Sequence, residues 1–204
     1  MSNNPSAPRS STAERALVCL EELALDKGLD SVSMRDVAKR LGISLAALQY
    51  HYPVKADLIA AFIASAVEAY RRHLEAIMTS PRDGPRLPEV VRAAVRENRA
   101  AAGAGSVLAM IEGRAQHDPA TASALRAAMQ VYLQMLSDVI VGDHPELSAE
   151  EAMGAAAMVI ALVEGVPASI EAAEGLGIDP EALLEATVDT AVGVVALVQR
   201  RSGR

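Results

Sequence analysis

Two short runs of helically spaced apolar residues meet at one tight turn between residues 33 and 52. The segment reads SMRDVAKRLGISLAALQYHY and is interrupted once, at Leu41-Gly42-Ile43. Helices that meet at a sharp angle need a small residue where they cross and a glycine in the turn, and Ala38 and Gly42 provide them. Each half is too short to be stable alone, so both must pack on another helix. The spacing is that of a helix-turn-helix, whose second helix enters a DNA major groove, although an ordinary helical hairpin would share it.

The rest of the chain also has the periodicity of helices. Alanine and leucine are abundant, β-branched runs are short, and apolar residues recur every three or four positions through most of the 204 residues. We therefore predict an all-α fold of about nine helices. The predicted helices span residues 12–27, 33–41, 44–52, 55–78, 88–101, 105–116, 119–140, 148–173 and 180–200.

A linker rich in proline separates two parts of the chain. TSPRDGPRLP, residues 79–88, contains three prolines and a glycine. It follows a helix-turn-helix domain at residues 12–54 and a long connecting helix at residues 55–78. It forms the beginning of a helical domain at residues 79–204, which is predicted to bind an effector and to dimerise. The polar segment at residues 1–11 is predicted to be a disordered arm.

Charge is distributed unevenly between these parts. The net charge is −7, yet residues 1–75 hold nine Lys/Arg and nine Asp/Glu, so the whole excess of acid lies in residues 76–204. A neutral, locally basic N-terminal part remains compatible with a nucleic-acid partner. The single cysteine, Cys19, excludes an internal disulfide, and no apolar run is long enough to span a membrane. We expect a cytoplasmic protein with no membrane partner.

Several side chains near the second short helix are suited to phosphate contact. Lys55 begins a helix, where the helix dipole disfavours a cation unless an anion docks beside it. Tyr50 and His51 lie close to that point in the sequence. His51 has no second ligand at metal spacing, so no metal site is predicted. A solvated charged face is the alternative for Lys39 and Arg40, and we favour it for both.

The segment SMRDVAKRLGISLAALQYHYPVKADL resembles the TetR-like (TetR/AcrR) transcriptional regulators. The resemblance covers residues 12–60 and rests on the Ser before the helix, the Ala–Gly spacing, the aromatic-His-aromatic end and the following Lys. It implies a three-helix DNA-binding domain, a connecting helix and a larger domain that dimerises and often binds a small effector. Double-stranded DNA with a palindromic operator is the implied partner, and repression the implied activity.

The resemblance also implies which residues contact DNA. Gln49 stands where the family usually has Tyr, which favours a polar reading of adenine, and Val54 stands where a capping Ser or Asn is frequent. Ser44, a good cap at the start of the second helix, is also a predicted DNA contact. The implied base contacts are Leu45, Ala46, Gln49 and Arg35, and the implied phosphate contacts are Ser33, Tyr50, His51 and Lys55.

The last two predicted helices are apolar nearly all round. AAAMVIALVEGV at residues 155–166 and AVGVVALV at residues 191–198 would leave an exposed apolar face in a monomer. Two copies of these helices in a four-helix bundle would cover that face, so we predict a homodimer; a monomer with a central last helix is the alternative. The predicted seam residues are Ala156, Val159, Val163, Val188, Val192 and Val195.

The helices between residues 88 and 140 could enclose a cavity for an effector, although methionines in such helices are more often core. We expect a mostly apolar ligand and not a quaternary amine, because the module has almost no aromatic residues for a cage. The predicted lining residues are Met110, His117, Met129, Tyr132, Met135 and Glu164.

Other functional classes find less support in the sequence. Glu112, His117 and Asp118 are close in sequence, but their spacing does not place Glu112 over His117 on a helix, and no nucleophile or phosphate-loop motif occurs. We therefore predict no enzyme and no cofactor. A helical protein-interaction adaptor without DNA binding, or a regulator without an effector, remains the alternative. Burial of Tyr50 and Lys55 would favour the adaptor.

Overall fold

The computed structural model describes residues 11–81, 83–100 and 104–202. Within them the fold is all-helical, as predicted, and every predicted helix is present within a few residues of its expected bounds. The predicted arm at residues 1–11 lies outside the described residues except for Ser11. The helices are α1 Thr12–Lys27, α2 Met34–Leu41, α3 Leu45–His51, α4 Lys55–Thr79, α5 Leu87–Ala100, α6 Ala104–Ala115, α7 Pro119–Asp143, α8 Ala149–Glu174 and α9 Pro180–Ser202. The described helices include none that is long and apolar enough to span a bilayer.

The structure contains one element that was not predicted, a single 3₁₀ turn at Leu29–Ser31 between α1 and α2. It starts after Gly28, which ends α1 with a φ of 82° that L-residues rarely adopt. Its Leu29 side chain is buried. The sequence gives little sign of it because three residues are too few for a periodic pattern.

Side-chain caps set the start of the short helices. Ser33 and Asp36 form a capping box at α2, and Ser44 accepts a hydrogen bond from the backbone N–H of Ala47 at α3. Between them Gly42 ends α2 in the left-handed conformation, with φ 69° and ψ 30°. This glycine permits the sharp turn between the two helices.

The three N-terminal helices share one small core. Leu20 of α1, Val37 of α2 and Leu48 of α3 are buried together with Ala16 and Ala38. α1 contacts both α2 and α3, and α2 contacts α3. This is the predicted packing of the helix-turn-helix on α1.

The chain divides into two compact units at places other than the predicted linker. The first unit contains residues 1–65 and 106–125, and the second contains residues 66–105 and 126–204. Residues 106–125 therefore belong with the helix-turn-helix, and the pair between Arg114 and Asp30, with Nη1 2.8 Å from Oδ1, lies within this unit. A division made at the proline-rich linker misses such a pair, because its residues are 84 positions apart.

The second unit has its own core, formed by α5, α7, α8, α9 and Leu74 of α4. The composition of this core disagrees with most of the predicted dimer seam. Five of the six predicted seam residues are buried inside the single chain and offer no surface to a second copy, and only Val192, 39% exposed, remains accessible. The five buried residues are Ala156, Val159, Val163, Val188 and Val195. Because both helices are apolar all round, the sequence could not tell which side faces the core.

Asp143, at the end of α7, caps the N-terminus of α5. Its carboxylate accepts hydrogen bonds from the backbone N–H of Arg86 at 2.7 and 2.8 Å and of Leu87 at 2.8 Å. The Arg86 guanidinium in turn donates to the Ile77 carbonyl near the end of α4, at 3.0 Å. A negative charge at a helix N-terminus is favourable, so the Asp143 carboxylate joins α7 to α5, and the Arg86 side chain joins the start of α5 to α4.

Asp143→Asn should lower the free energy of unfolding by about 1–3 kcal/mol, because the neutral amide has a single acceptor oxygen and lacks the negative charge that strengthens these hydrogen bonds. The matched control is Asp138→Asn on the same helix, where an exposed carboxylate accepts from Gln134 alone. Urea unfolding of the two variants measures the difference. Equal stability of the variants would contradict a capping role for Asp143.

Candidate nucleic-acid interface

The outward side of α3 is open to solvent. Ala46, Gln49 and Tyr50 are exposed, Tyr50 to 85%, while Leu48 on the opposite side is fully buried. Predicted base contacts Ala46 and Gln49 therefore lie on the accessible face, and Leu45 beside them is half-buried. Burial of Tyr50 and Lys55 would have favoured the adaptor alternative, and Tyr50 is exposed.

Tyr52 fixes the orientation of this face. Its ring is buried, and its hydroxyl donates to the Ala13 carbonyl of α1 at 3.2 Å. The neighbouring Tyr50 and His51 rings meet edge to face, with centroids 5.3 Å apart, and both remain exposed. One aromatic of the Tyr-His-Tyr end thus anchors α3, and the other two rings stay available to a ligand.

The two predicted serine contacts differ in what their hydroxyls can still do. Ser33 donates its hydroxyl to the Asp36 carboxylate at 2.6 Å, so this donor is already used. Ser44 only accepts, from the Ala47 N–H at 3.1 Å, which leaves its O–H able to donate to a phosphate. Ser44 is therefore the better placed of the two for a direct phosphate hydrogen bond.

The Ser33 hydroxyl and the Lys27 ammonium lower the pKa of the Asp36 carboxyl. Because the lowered pKa belongs to the folded state, the stabilisation is present above the ordinary pKa of an aspartate. It is lost as the pH falls through the lowered value. The start of α2 is therefore fixed by an ionised carboxylate at neutral pH.

Lys55 is bonded within the protein. Its ammonium donates to the carbonyls of Leu29 and Asp30, at 2.7 and 3.2 Å, and its side chain is half-buried. Burial lowers the pKa of this ammonium, and the positive charge of Arg114 lowers it further. A lysine has three N–H donors, so one remains for a phosphate, and that predicted role stays a prediction.

α4 begins without a side-chain cap, as expected from Val54 at the position where a capping Ser or Asn is frequent. The backbone N–H of Val54 donates to the Asp57 carboxylate at 3.2 Å, which is half of a capping box without the side-chain cap. Gln49 reaches the same turn only through a 3.5 Å contact from its amide nitrogen to the Pro53 carbonyl. Such a long contact leaves the Gln49 amide free to turn towards a base.

The predicted effector residues are divided between the units. Met110 and His117 belong to the first, and Met129, Tyr132 and Met135 to the second. The three methionines are half-buried, whereas His117 and Glu164 are exposed. Tyr132 meets Tyr70 edge to face at 4.9 Å, a ring contact that the sequence did not reveal because the two residues are far apart in it.

The described residues give no support to an enzymatic or a metal-binding role. Asp118 pairs with Arg114 at 3.2 Å and accepts from Thr121 at 2.6 Å, while Glu112 and His117 are exposed. No group of three or more His, Cys, Asp or Glu side chains among these residues is arranged to hold a metal ion.

Comparison with known proteins agrees with the geometry of α1 to α4. Residues 20–62 match the family described as bacterial regulatory proteins, tetR family. The matched segment, which contains α2, α3 and parts of α1 and α4, is similar to this family of regulators. No curated protein matches the chain significantly. Proteins of that family are DNA-binding regulators and not enzymes.

Solved structures resemble the whole chain. A transcriptional regulator from Rhodococcus sp. Rha1 is 27% identical, with a TM-score of 0.69, over 91% of this chain and 96% of that one. A TetR transcriptional regulator from Legionella pneumophila is 20% identical, with a TM-score of 0.69, over 92% and 98%. A regulator from Saccharomonospora viridis in complex with choline is 19% identical, with a TM-score of 0.69, over 89% and 95%. The TetR fold therefore extends through both units.

Gln49→Ala should relax the preference of the TetR-like domain at one base pair per half-site, costing roughly 1–3 kcal/mol of discrimination. Gln49→Glu replaces the amide donor by a second acceptor, so it should shift the preference from adenine towards cytosine. Fluorescence anisotropy with duplexes changed at single base pairs measures both effects. Unchanged preferences in both variants would show that Gln49 does not read a base.

Proposed function

We propose that this TetR-like regulator is a repressor that binds a palindromic operator as a homodimer and is released by a small, mostly apolar effector. The proposal rests on the exposed face of α3. Gln49 and Tyr50 are open to solvent, while Leu48 on the opposite side of the helix is fully buried. A single seven-residue helix reads only a few base pairs, so a dimer that places two copies on one duplex would supply the remaining specificity.

A second exposed face supports the dimer. On α8 and α9 small and apolar residues recur on the outward side at intervals of three or four, the spacing of one helical face. Met158 and Leu197 are the large members, 45% and 44% exposed. The outward residues are Ala157, Met158, Ala161 and Gly165 on α8, and Ala186, Thr190, Gly193 and Leu197 on α9.

The polar groups in this face are satisfied internally. A groove of about 350 Å³ runs between α8 and α9, and its hydroxyl-bearing members are Ser169, Thr187 and Thr190. Each donates its hydroxyl to the backbone carbonyl four residues earlier, at 3.0, 2.8 and 2.7 Å. Burying these groups against a second copy therefore leaves no donor unpaired, which suits a close helix–helix contact.

Ala161→Glu should dissociate the dimer and with it abolish tight operator binding. An unpaired carboxylate buried at the seam costs about 3–5 kcal/mol, which weakens dimerisation by roughly 100-fold or more. The matched control is Ala127→Glu, at an exposed alanine of α7. Sedimentation gives the oligomeric state of both.

Val195→Glu serves as a second reference, because Val195 is buried in the core of one chain and its substitution should unfold the unit. An Ala161→Glu protein that stays folded, dimeric and able to bind the operator would exclude the outward face of α8 as the seam.

The effector proposal rests on residues 106–125, which belong to the same compact unit as the helix-turn-helix. Half-buried Met110 lies four residues before Arg114 on α6, and so on the same face of that helix. The Arg114 guanidinium pairs with the Asp30 carboxylate. The backbone carbonyl of Asp30 accepts a hydrogen bond from Lys55 at the start of α4. A ligand that contacts Met110 and shifts α6 would therefore alter the Asp30 turn that precedes α2.

An effector found by thermal-shift screening should lower operator affinity by about 5- to 150-fold, the usual range for coupled sites. Asp30→Asn removes the charged partner through which Arg114 contacts the turn before α2 and leaves its pair with Asp118, so it should reduce this coupling while ligand-induced stabilisation persists. The control is Asp26→Asn, at an exposed aspartate near the end of α1. Ligands that stabilise the protein without changing operator affinity would contradict release by an effector.

A further inference from the structure

The two flanks of α2 have different electrostatic surroundings. On one flank Asp36 pairs with Lys27 at 2.9 Å and Arg40 pairs with Glu22 at 3.2 Å, so this side is neutralised by α1. On the other flank Arg35 and Lys39, one helical turn apart, are both exposed. Neither makes a hydrogen bond or ion pair with any part of the chain that the structure describes.

The other lysines and arginines that the structure describes in the first unit are already engaged. Lys27 pairs with Asp36, Lys55 donates to two carbonyls, and Arg114 pairs with Asp30. Arg15 makes a long contact with the Leu41 carbonyl at 3.5 Å. Of the chain's three lysines, Lys39 is the one whose ammonium has no partner among the described residues.

The recognition helix itself carries little positive charge. The seven residues of α3, LAALQYH, contain no lysine or arginine. Neutralisation of phosphates supplies most of the affinity of a protein for DNA, so cations on another element must provide it. In a helix-turn-helix the first helix crosses the DNA backbone while the second lies in the groove, which places α2 against the phosphates.

We propose that Lys39 binds a phosphate of the operator backbone, so that the DNA-binding surface extends from α3 along the Arg35–Lys39 flank of α2. This inference rests on the proposed function and names a contact that the likeness to other regulators did not supply. It goes beyond the expectation of a solvated charged face for Lys39 and Arg40: both side chains are exposed, and Arg40 is paired with Glu22.

Lys39→Ala and Arg40→Ala form a matched pair, since each removes one positive charge from α2. Lys39→Ala should weaken binding to operator and to scrambled duplex by the same factor and reduce the slope of log K against log salt by about 1.8 for a bound dimer, which is about 0.9 for each copy. Arg40→Ala should leave that slope at the wild-type value. Equal slopes for Lys39→Ala and wild type overturn the proposal, whereas a wild-type protein that binds no duplex overturns the proposed function itself.

A second measurement uses the low lysine content. Reductive methylation with ¹³C labels the three lysines, keeps their charge and gives one resolvable signal for each. Adding operator should shift the Lys39 signal, and high salt should reverse the shift, while Lys27 stays unchanged in its pair with Asp36. A Lys39 signal that does not respond to saturating operator overturns the proposal independently of any substitution.

Discussion

The attachment of α3 to α1 is the interaction on which the function of this chain depends. A helix of seven residues has no independent stability, so α3 exists as a helix only because other elements hold it. Leu48 packs into the core that α1 and α2 share, and the Tyr52 hydroxyl bonds to the Ala13 carbonyl. Gly42 allows the turn that brings these anchors into place. The polar side of α3 is thereby presented to solvent in a fixed orientation.

The charges of the first unit follow from the same packing. α1 neutralises one flank of α2 through Glu22 and Lys27, and the turn at Leu29–Ser31 binds Lys55. What remains for a polyanion is a small number of cations on the open flank of α2. The second unit, residues 66–105 and 126–204, holds eleven Lys/Arg and 17 Asp/Glu, so it adds no general attraction for DNA. The affinity for DNA therefore has to come from a few well-placed contacts in each chain, which a second copy of the protein would double.

Local features of the fold were predictable from the sequence, whereas contacts between distant residues were not. The caps at Ser33 and Ser44 and the helix end at Gly28 act over three or four residues and leave a readable pattern. The Asp143 cap on α5 joins residues 56 or 57 positions apart, which no local pattern encodes. The choice of seam residues was wrong for a related reason. Periodicity cannot orient a helix that is apolar all round, so Val195 of the core and Leu197 of the surface looked equivalent.

Two copies of α3 are expected to read one duplex. Sequencing of the duplexes that the purified protein retains from a random pool tests this directly. We expect enrichment of an inverted repeat whose half-sites have centres separated by one helical turn of DNA, about 10–10.5 base pairs, or by a multiple of it. Enrichment of a single unrepeated site, or of no sequence at all, would contradict it.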